Sequence, residues 1–266
     1  AKMLVERFGG NIIADPYRTN SFHTVTHILI SNIFPVQHRL SRMIGGMIME
    51  LKIKDPGSAL THFIAMLAAM AAAAPLLVKA ASVPGTMHLK ALSVFIVSMI
   101  LLYAASTVYH TFDISEHVNK LLRKIDHMMI FILIAGTYTP VCLIVLGNRS
   151  GYRMLSLVWG IAIVGIIINA LWINCPKWFS SVIYIAMGWV CIMAIRQIVA
   201  ALTPAAFTWL LAGGIIYTIG GVIYALKLPI FNSKHKNFGS HEIFHLFVMG
   251  GSFCHYMMMY GYVAAA

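Results

Sequence analysis

Charge is what this chain has least of. Only 10% of its 266 residues are charged, while 60% are hydrophobic and the mean hydropathy is +0.82. A soluble domain carries about 25% charged residues, so a water-dispersed globular protein is excluded and an integral membrane protein is expected. Acidic residues are scarcer still, eight Asp and Glu against nineteen Lys and Arg. In a soluble protein the resulting net charge of +11 would suggest nucleic acid. Here it is read as basic loops gathered on one membrane face, and no nucleic-acid partner is expected. Cysteine is limited to Cys142, Cys175, Cys191 and Cys254, with no C-x-x-C spacing among them. That argues against a disulfide framework or a sulfur-ligated metal, and most of these residues read as small buried hydrophobes. The dipeptide Asp-Gly is absent altogether.

Long apolar runs, by contrast, are abundant. A helix needs about 20 mostly apolar residues to cross the bilayer core, and seven such runs occur, at 58–80, 89–110, 125–146, 154–173, 178–200, 205–226 and 240–262. The fold class expected is therefore all-α, a polytopic seven-helix membrane bundle. Pro75 and Pro140 are expected to kink their helices. Gly213-Gly214 and Gly220-Gly221 are expected to let the sixth helix approach a neighbour closely. With the N-terminus inside, the cytoplasmic segments hold Lys52, Lys54, Lys120, Arg123, Lys124, Lys177, Lys227, Lys234 and Lys236. The outer segments hold only Lys79, Lys90, Arg149, Arg153 and Arg196. The positive-inside rule then sets the N-terminus inside and the C-terminus outside.

Residues 1–50 have a different texture, mixing charged and polar residues with short apolar patches. They lack the compact layout of a cleavable signal peptide. Two readings stand side by side for this extension: a start assigned too early, with Met49 as the native first residue, or a genuine, poorly ordered cytoplasmic segment. Residues 51–266 form the membrane domain.

The positions of the few acids are informative. Four precede residue 58, and the others are Asp113, Glu116, Asp126 and Glu242. In the orientation above, all of these lie at cytoplasmic ends of helices or in cytoplasmic segments. The same face collects histidines. His110 ends the second span in STVYH, Asp126 and His127 open the third, and His241 and His245 open the seventh. Helix parity alone places these groups at one depth.

SHEIFH at residues 240–245 contains His-Glu-x-x-His, the zinc signature of many metallopeptidases. Two histidines four apart share one helical face and can reach one metal. An intramembrane zinc peptidase also requires an acidic third ligand, commonly from an Asp-Gly context, and the chain has none. His110 is the better third ligand. Three histidines with an open position are a catalytic arrangement for zinc, which lowers the pKa of bound water to ~7. Asp126 is placed to orient or deprotonate that water. Ser106, one turn from His110, is placed to hydrogen-bond it or to donate to a developing oxyanion.

These residues resemble a known family. SxxxH as STVYH, IDH followed by IAGTYTP, and HxxxH in SHEIFH are similar to the hemolysin III family. That family is the bacterial branch of the progestin and adipoQ receptor superfamily, more distantly related to alkaline ceramidases. The resemblance runs from ALTH, near residue 59, to the C-terminus and does not cover residues 1 to about 50. It implies a zinc near the cytoplasmic face held by His110, His241 and His245, with Asp126 and Ser106 beside it, and weak hydrolysis of ceramide. It also implies that Glu242 is incidental, because receptors of the superfamily tend to carry a non-acidic residue there. His62, in ALTH, matches a family position and is expected to pack at or just outside the site. His255 lies too deep to join it and is expected to pack between helices. His88, His117 and His235 are expected to be solvated loop residues.

Three functional classes follow. The first is a zinc-dependent hydrolase of a lipid amide in the cell membrane, with Asp126 and Ser106 as its catalytic residues. The second is a receptor or regulator of membrane state braced by a structural zinc. The third is the cytolytic, pore-forming activity in the family's name. A chain with seven apolar spans, inserted as it is made, does not resemble a toxin that enters membranes from solution. In each case membrane lipid is the expected partner.

Overall fold

The computed structural model describes residues 53–172, 177–226 and 239–266. The proposed extension at residues 1–50 and the basic positions Lys52, Lys227, Lys234, His235 and Lys236 lie outside the described residues. The secondary structure is helical. α1 spans Pro56–Ala81, α2 Met87–Thr111 and α3 Glu116–Pro140, and α3 continues as a π-helical turn, Val141–Leu146. α4 spans Arg149–Leu171. α5, Lys177–Gly188, passes through a 3₁₀ stretch, Trp189–Ala194, into α6, Ile195–Ala201. α7 spans Pro204–Leu226 and α8 Ser240–Met258, the latter ending in a π-helical turn, Met259–Val263.

Among the described residues, six helices are long and apolar enough to cross a membrane, with α5 and α6 counted as one rod. Each coincides with an expected span. The protein is an all-α, multi-pass membrane protein. The expected seventh span is also a helix, α8, but it is not one of these six. The reason is its composition: His241, Glu242, His245 and His255 interrupt the apolar run. Large apolar side chains such as Leu60, Val78, Ile163, Leu171 and Met193 point outward, the skin expected of a lipid-facing surface.

Helices adjacent in sequence pack side by side from α1 to α4. α7 lies between α5 and α8, and α8 closes back on α1. α1 can approach its neighbours because its buried stripe is mostly small: Ser58, Ala59, His62, Ala65, Ala69, Leu76 and Ala80. Without a hydrophobic effect between helices in lipid, such close backbone approach supplies the packing. The interior is built on Leu92, Phe95, Ile96, Phe131, Ala135, Cys142, Val158 and Ala162, all essentially inaccessible.

Pro75 and Pro140 both lie inside helices. α1 runs through Pro75 without interruption, whereas the π turn begins immediately after Pro140. Gly147, at φ 55, then takes the left-handed conformation and its N–H bonds the Cys142 carbonyl at 3.2 Å, the usual way to end a helix. Asn148 follows directly, its side chain accepting from the N–H groups of Ser150 and Gly151 at the start of α4. Two residues thus reverse the chain. The 3₁₀ break after α5 is satisfied internally, as backbone in a membrane must be. Tyr138 Oη donates to the Gly188 carbonyl at 2.7 Å and accepts from the Cys191 N–H at 2.8 Å.

The glycine pairs of α7 divide. A Cβ on Gly213 would lie 2.8 Å from His255 Nε2, and one on Gly220 would lie 2.6 Å from Phe247 Cβ. These two, seven residues apart, let α7 lie against α8. Gly221 faces Ile185 of α5, and Gly214 has nothing within 4 Å. Cys142, Cys191 and Cys254 are free thiols, and Cys175 lies outside the described residues.

Candidate metal centre

The C-terminal end of α2, the N-terminal ends of α1 and α8, and the eleventh residue of α3 meet at one end of the bundle. The first turn of α1 holds this junction together. The Asp55 N–H bonds the His110 carbonyl at 2.9 Å and the Lys54 N–H bonds the Thr111 carbonyl at 3.3 Å, fixing the entry of α1 to the exit of α2. Ser58 Oγ donates to Glu242 Oε1 at 2.7 Å, fixing α1 to α8.

His110, His241 and His245 come together here, one donor atom from each lying within 4.8 Å of the other two. His110 and His245 are buried and His241 is partly so. His110 Nε2 lies 3.2 Å from His241 Nε2. The other ring nitrogens explain why these point inward. His110 Nδ1 lies 2.9 Å from Asp55 Oδ2, and a carboxylate only accepts, so the proton of a neutral His110 sits on Nδ1. His245 Nδ1 lies 3.3 Å from Thr61 Oγ1. The Thr61 hydroxyl proton is already directed to the Gly57 and Ser58 carbonyls, so Thr61 accepts from Nδ1–H. In both rings Nε2 is left as a bare lone pair. Two such lone pairs beside a third imidazole repel one another and suit a cation between them. The set therefore fits a metal ion, and nitrogen donors in this number fit zinc among others.

Further contacts hold the rings in place. His62 stacks on His245, with ring centroids 3.6 Å apart and planes 7° from parallel, and meets Tyr103 edge-on at 5.0 Å. Neither nitrogen of His62 has a hydrogen-bond partner. Glu242 is occupied elsewhere. Besides Ser58, its Oε2 accepts from the Gly239 N–H at 2.8 Å, closing the first turn of α8. The glutamate of the His-Glu-x-x-His pattern thus serves the helix end.

Asp126 and Ser106 are both buried. The Ser106 hydroxyl is near enough to affect the Asp126 carboxyl, yet makes no hydrogen bond of ordinary geometry. Both line a cavity of ≈ 190 Å³ together with His62, His241 and His245. Most of its wall is apolar, from Ile130 and Leu133 on α3 past Trp189, Leu210 and Val248. Among the described residues, His88, His117 and His255 lie apart from this centre. His88 bonds the Ala266 carbonyl at the opposite end of the bundle, His117 is exposed, and His255 lies deeper in the same cavity.

Asp55 was missed in the sequence, although a signal was present. It is one of only eight acids, and it immediately precedes the first span, whose parity places it at the same depth as His110.

Known proteins share this chain's sequence. A family profile described as Haemolysin-III related matches residues 51–256. The Hemolysin-3 homolog of Bacillus subtilis (strain 168) is 35% identical over 199 residues, covering 75% of this chain and 89% of that protein. The Hemolysin-3 of Bacillus cereus is 37% identical over 199 residues, 75% of this chain and 87% of its own length. More distantly, the Adiponectin receptor protein of Drosophila melanogaster is 27% identical over 180 residues, 61% of this chain and 40% of that protein.

Proposed function

The chain belongs to the hemolysin III family, and from that premise we propose that it is a zinc-dependent hydrolase of a ceramide-like lipid amide in the cell membrane. One observation carries the reading: imidazoles that could ligate a metal, a buried carboxyl and a buried hydroxyl line a cavity whose remaining wall is mostly apolar. His110, His241 and His245 hold the ion. Zinc in such a site supplies Lewis acidity and brings the pKa of water near 7.

The chain's own residues do the rest. Asp55 keeps the His110 ring in the tautomer that offers Nε2, and Thr61 does the same for His245. Asp126, buried and without a cationic partner at hydrogen-bond distance among the described residues, takes a proton from the attacking water and passes it to the departing amine. The Ser106 hydroxyl, with no partner of its own, donates to the amide oxygen as charge develops there. The apolar wall receives the hydrocarbon chain and keeps bulk water from the reacting carbonyl. Glu242 takes no part.

Asp126→Asn tests the mechanism. The variant is expected to keep its metal and to lose turnover of a ceramide-like amide by at least about 10²-fold, the lower range for a positioned general base. Products are followed by mass spectrometry in detergent micelles. Turnover equal to wild type removes the hydrolase mechanism.

A second reading rests on the bonds that tie α1 to both α2 and α8 around the ligands. They suit a structural zinc that braces a non-catalytic membrane-state regulator. Metal-loaded wild type that is stable but inert toward every amide tested selects this alternative.

A further inference from the structure

The mechanism leaves one buried polar cluster of the cavity unused. Ten residues beyond His245 on α8, roughly 15 Å along the axis, His255 lines the same cavity and is 94% buried. Its ring stacks on Tyr217 of α7, with centroids 5.3 Å apart and planes 24° from parallel. Its Nδ1 has no hydrogen-bond partner. Gly213 makes room for the imidazole, since a side chain there would collide with it.

Hydroxyl groups complete the cluster. Tyr103 Oη donates to Ser252 Oγ at 2.7 Å, and Tyr217 Oη lies 2.8 Å from the same oxygen. Three hydroxyls have three protons, and the two bonds among them use only two. The third proton, on Tyr217 or Ser252, has no acceptor among the described residues. An unused donor and an unpartnered imidazole in an apolar interior cost free energy unless something joins them. Tyr217 and His255 are the two members that reach the cavity. A neutral imidazole offers one donor and one acceptor, so the group that satisfies the pair both donates and accepts. An aliphatic hydroxyl does so, whereas a ketone or a plain methylene chain does not.

Resting on the reading of the cavity as a lipid site, we propose that Tyr217 and His255 form a second polar station within it, which selects lipids hydroxylated part-way along the hydrocarbon chain. The lipid's polar end sits at the metal centre, and its hydroxyl accepts from the hydroxyl cluster and donates to His255. The two contacts fix the register of the chain, so the position of the hydroxyl matters as much as its presence.

Binding of octadecanoate and of its monohydroxylated positional isomers to the full-length, metal-loaded protein in nanodiscs tests this without reference to hydrolysis. One mid-chain isomer is expected to bind roughly tenfold more tightly than octadecanoate, the worth of two net hydrogen bonds. Tyr217→Phe and His255→Leu are each expected to erase that preference, leaving the isomers and octadecanoate with one affinity. Metal content, read on every variant, separates a lost preference from a lost fold. Tyr217→Phe, which removes a single oxygen, decides the matter if His255→Leu does not fold. Equal affinity for all isomers, as when the cluster holds only water, overturns the station and leaves the lipid site standing. A preference that survives the substitutions also overturns it. If no chain binds wild type at all, the lipid site itself fails, and the station with it.

Discussion

The two sides of the bundle are packed very differently. In α2, 50% of the most apolar stretch is buried, and in α3 with its π turn 61%, against 17% for the α5–α6 rod and 11% for α7. On the first side Phe131, Phe95 and Leu92 are wholly inaccessible, and Gly136 and Gly165 lie against Ser98 and Phe131 with no room for a methyl group. On the second, α5 loses its α-helical geometry at Trp189, and Gly188 and Gly214 face open space. The cavity lies where the second side stands away from the first. The closely packed pair of helices carries Ser106, His110 and Asp126, and the loosely packed side supplies much of the cavity's wall. The candidate metal centre joins the two, with His110 at the end of closely packed α2 and His241 and His245 on α8, beside α7.

This contrast can be broken in several ways. The largest effect is expected at the join. His110→Ala, His241→Ala and His245→Ala should each abolish stoichiometric metal, read by elemental analysis of protein purified without chelator. Wild type that carries no metal by the same measurement would remove the join itself. Next, Phe131→Ala should destabilise by about 3–5 kcal/mol, whereas Leu211→Ala, 40% exposed on α7, should stay within about 0.5 kcal/mol. Equal shifts of the unfolding midpoint in detergent would show that the two sides are alike. Asp55→Asn should weaken metal affinity about 10–100-fold, the usual cost of losing a carboxylate behind a ligating histidine, as measured by competition with a chelator. Smallest of all, Glu242→Gln should leave metal content and turnover at wild-type levels. A loss of about 10²-fold there would revive the glutamate as a general base.

Much of this was legible in the sequence because bilayer thickness is a strict ruler. Five of the expected spans match helices to within a few residues at both ends. The third departs most, since its helix starts at Glu116, nine residues before the apolar run at 125. An apolar run marks only the part of a helix that lies in hydrocarbon. The added turns are polar, begun by Ser115, which caps Val118 N–H, and supported by the Glu116–Lys120 pair at 2.6 Å. Interruptions were less legible. Nothing in WVCIMA marks a 3₁₀ stretch, because the break is stabilised by Tyr138, a residue of another helix. At the candidate metal centre, helical spacing put His241 and His245 on one face and parity put His110 at their depth, but the lateral meeting of the three followed from neither. The contacts that hold their rings depend on α1, through Asp55, Thr61 and His62. Such lateral neighbours cannot be read from spacing along one helix.

The closing of α8 onto α1 has a consequence for biosynthesis. His110 and His241 are 131 positions apart, and the α1 residues that steer the rings are made before either. Membrane insertion therefore completes α1 and α2, with His110 and the residues that steer the rings, before the helix that carries His241 and His245. An ion seated among the three imidazoles would then require every intervening segment to have crossed in the proper sense, and metal uptake would double as proofreading of the threaded chain.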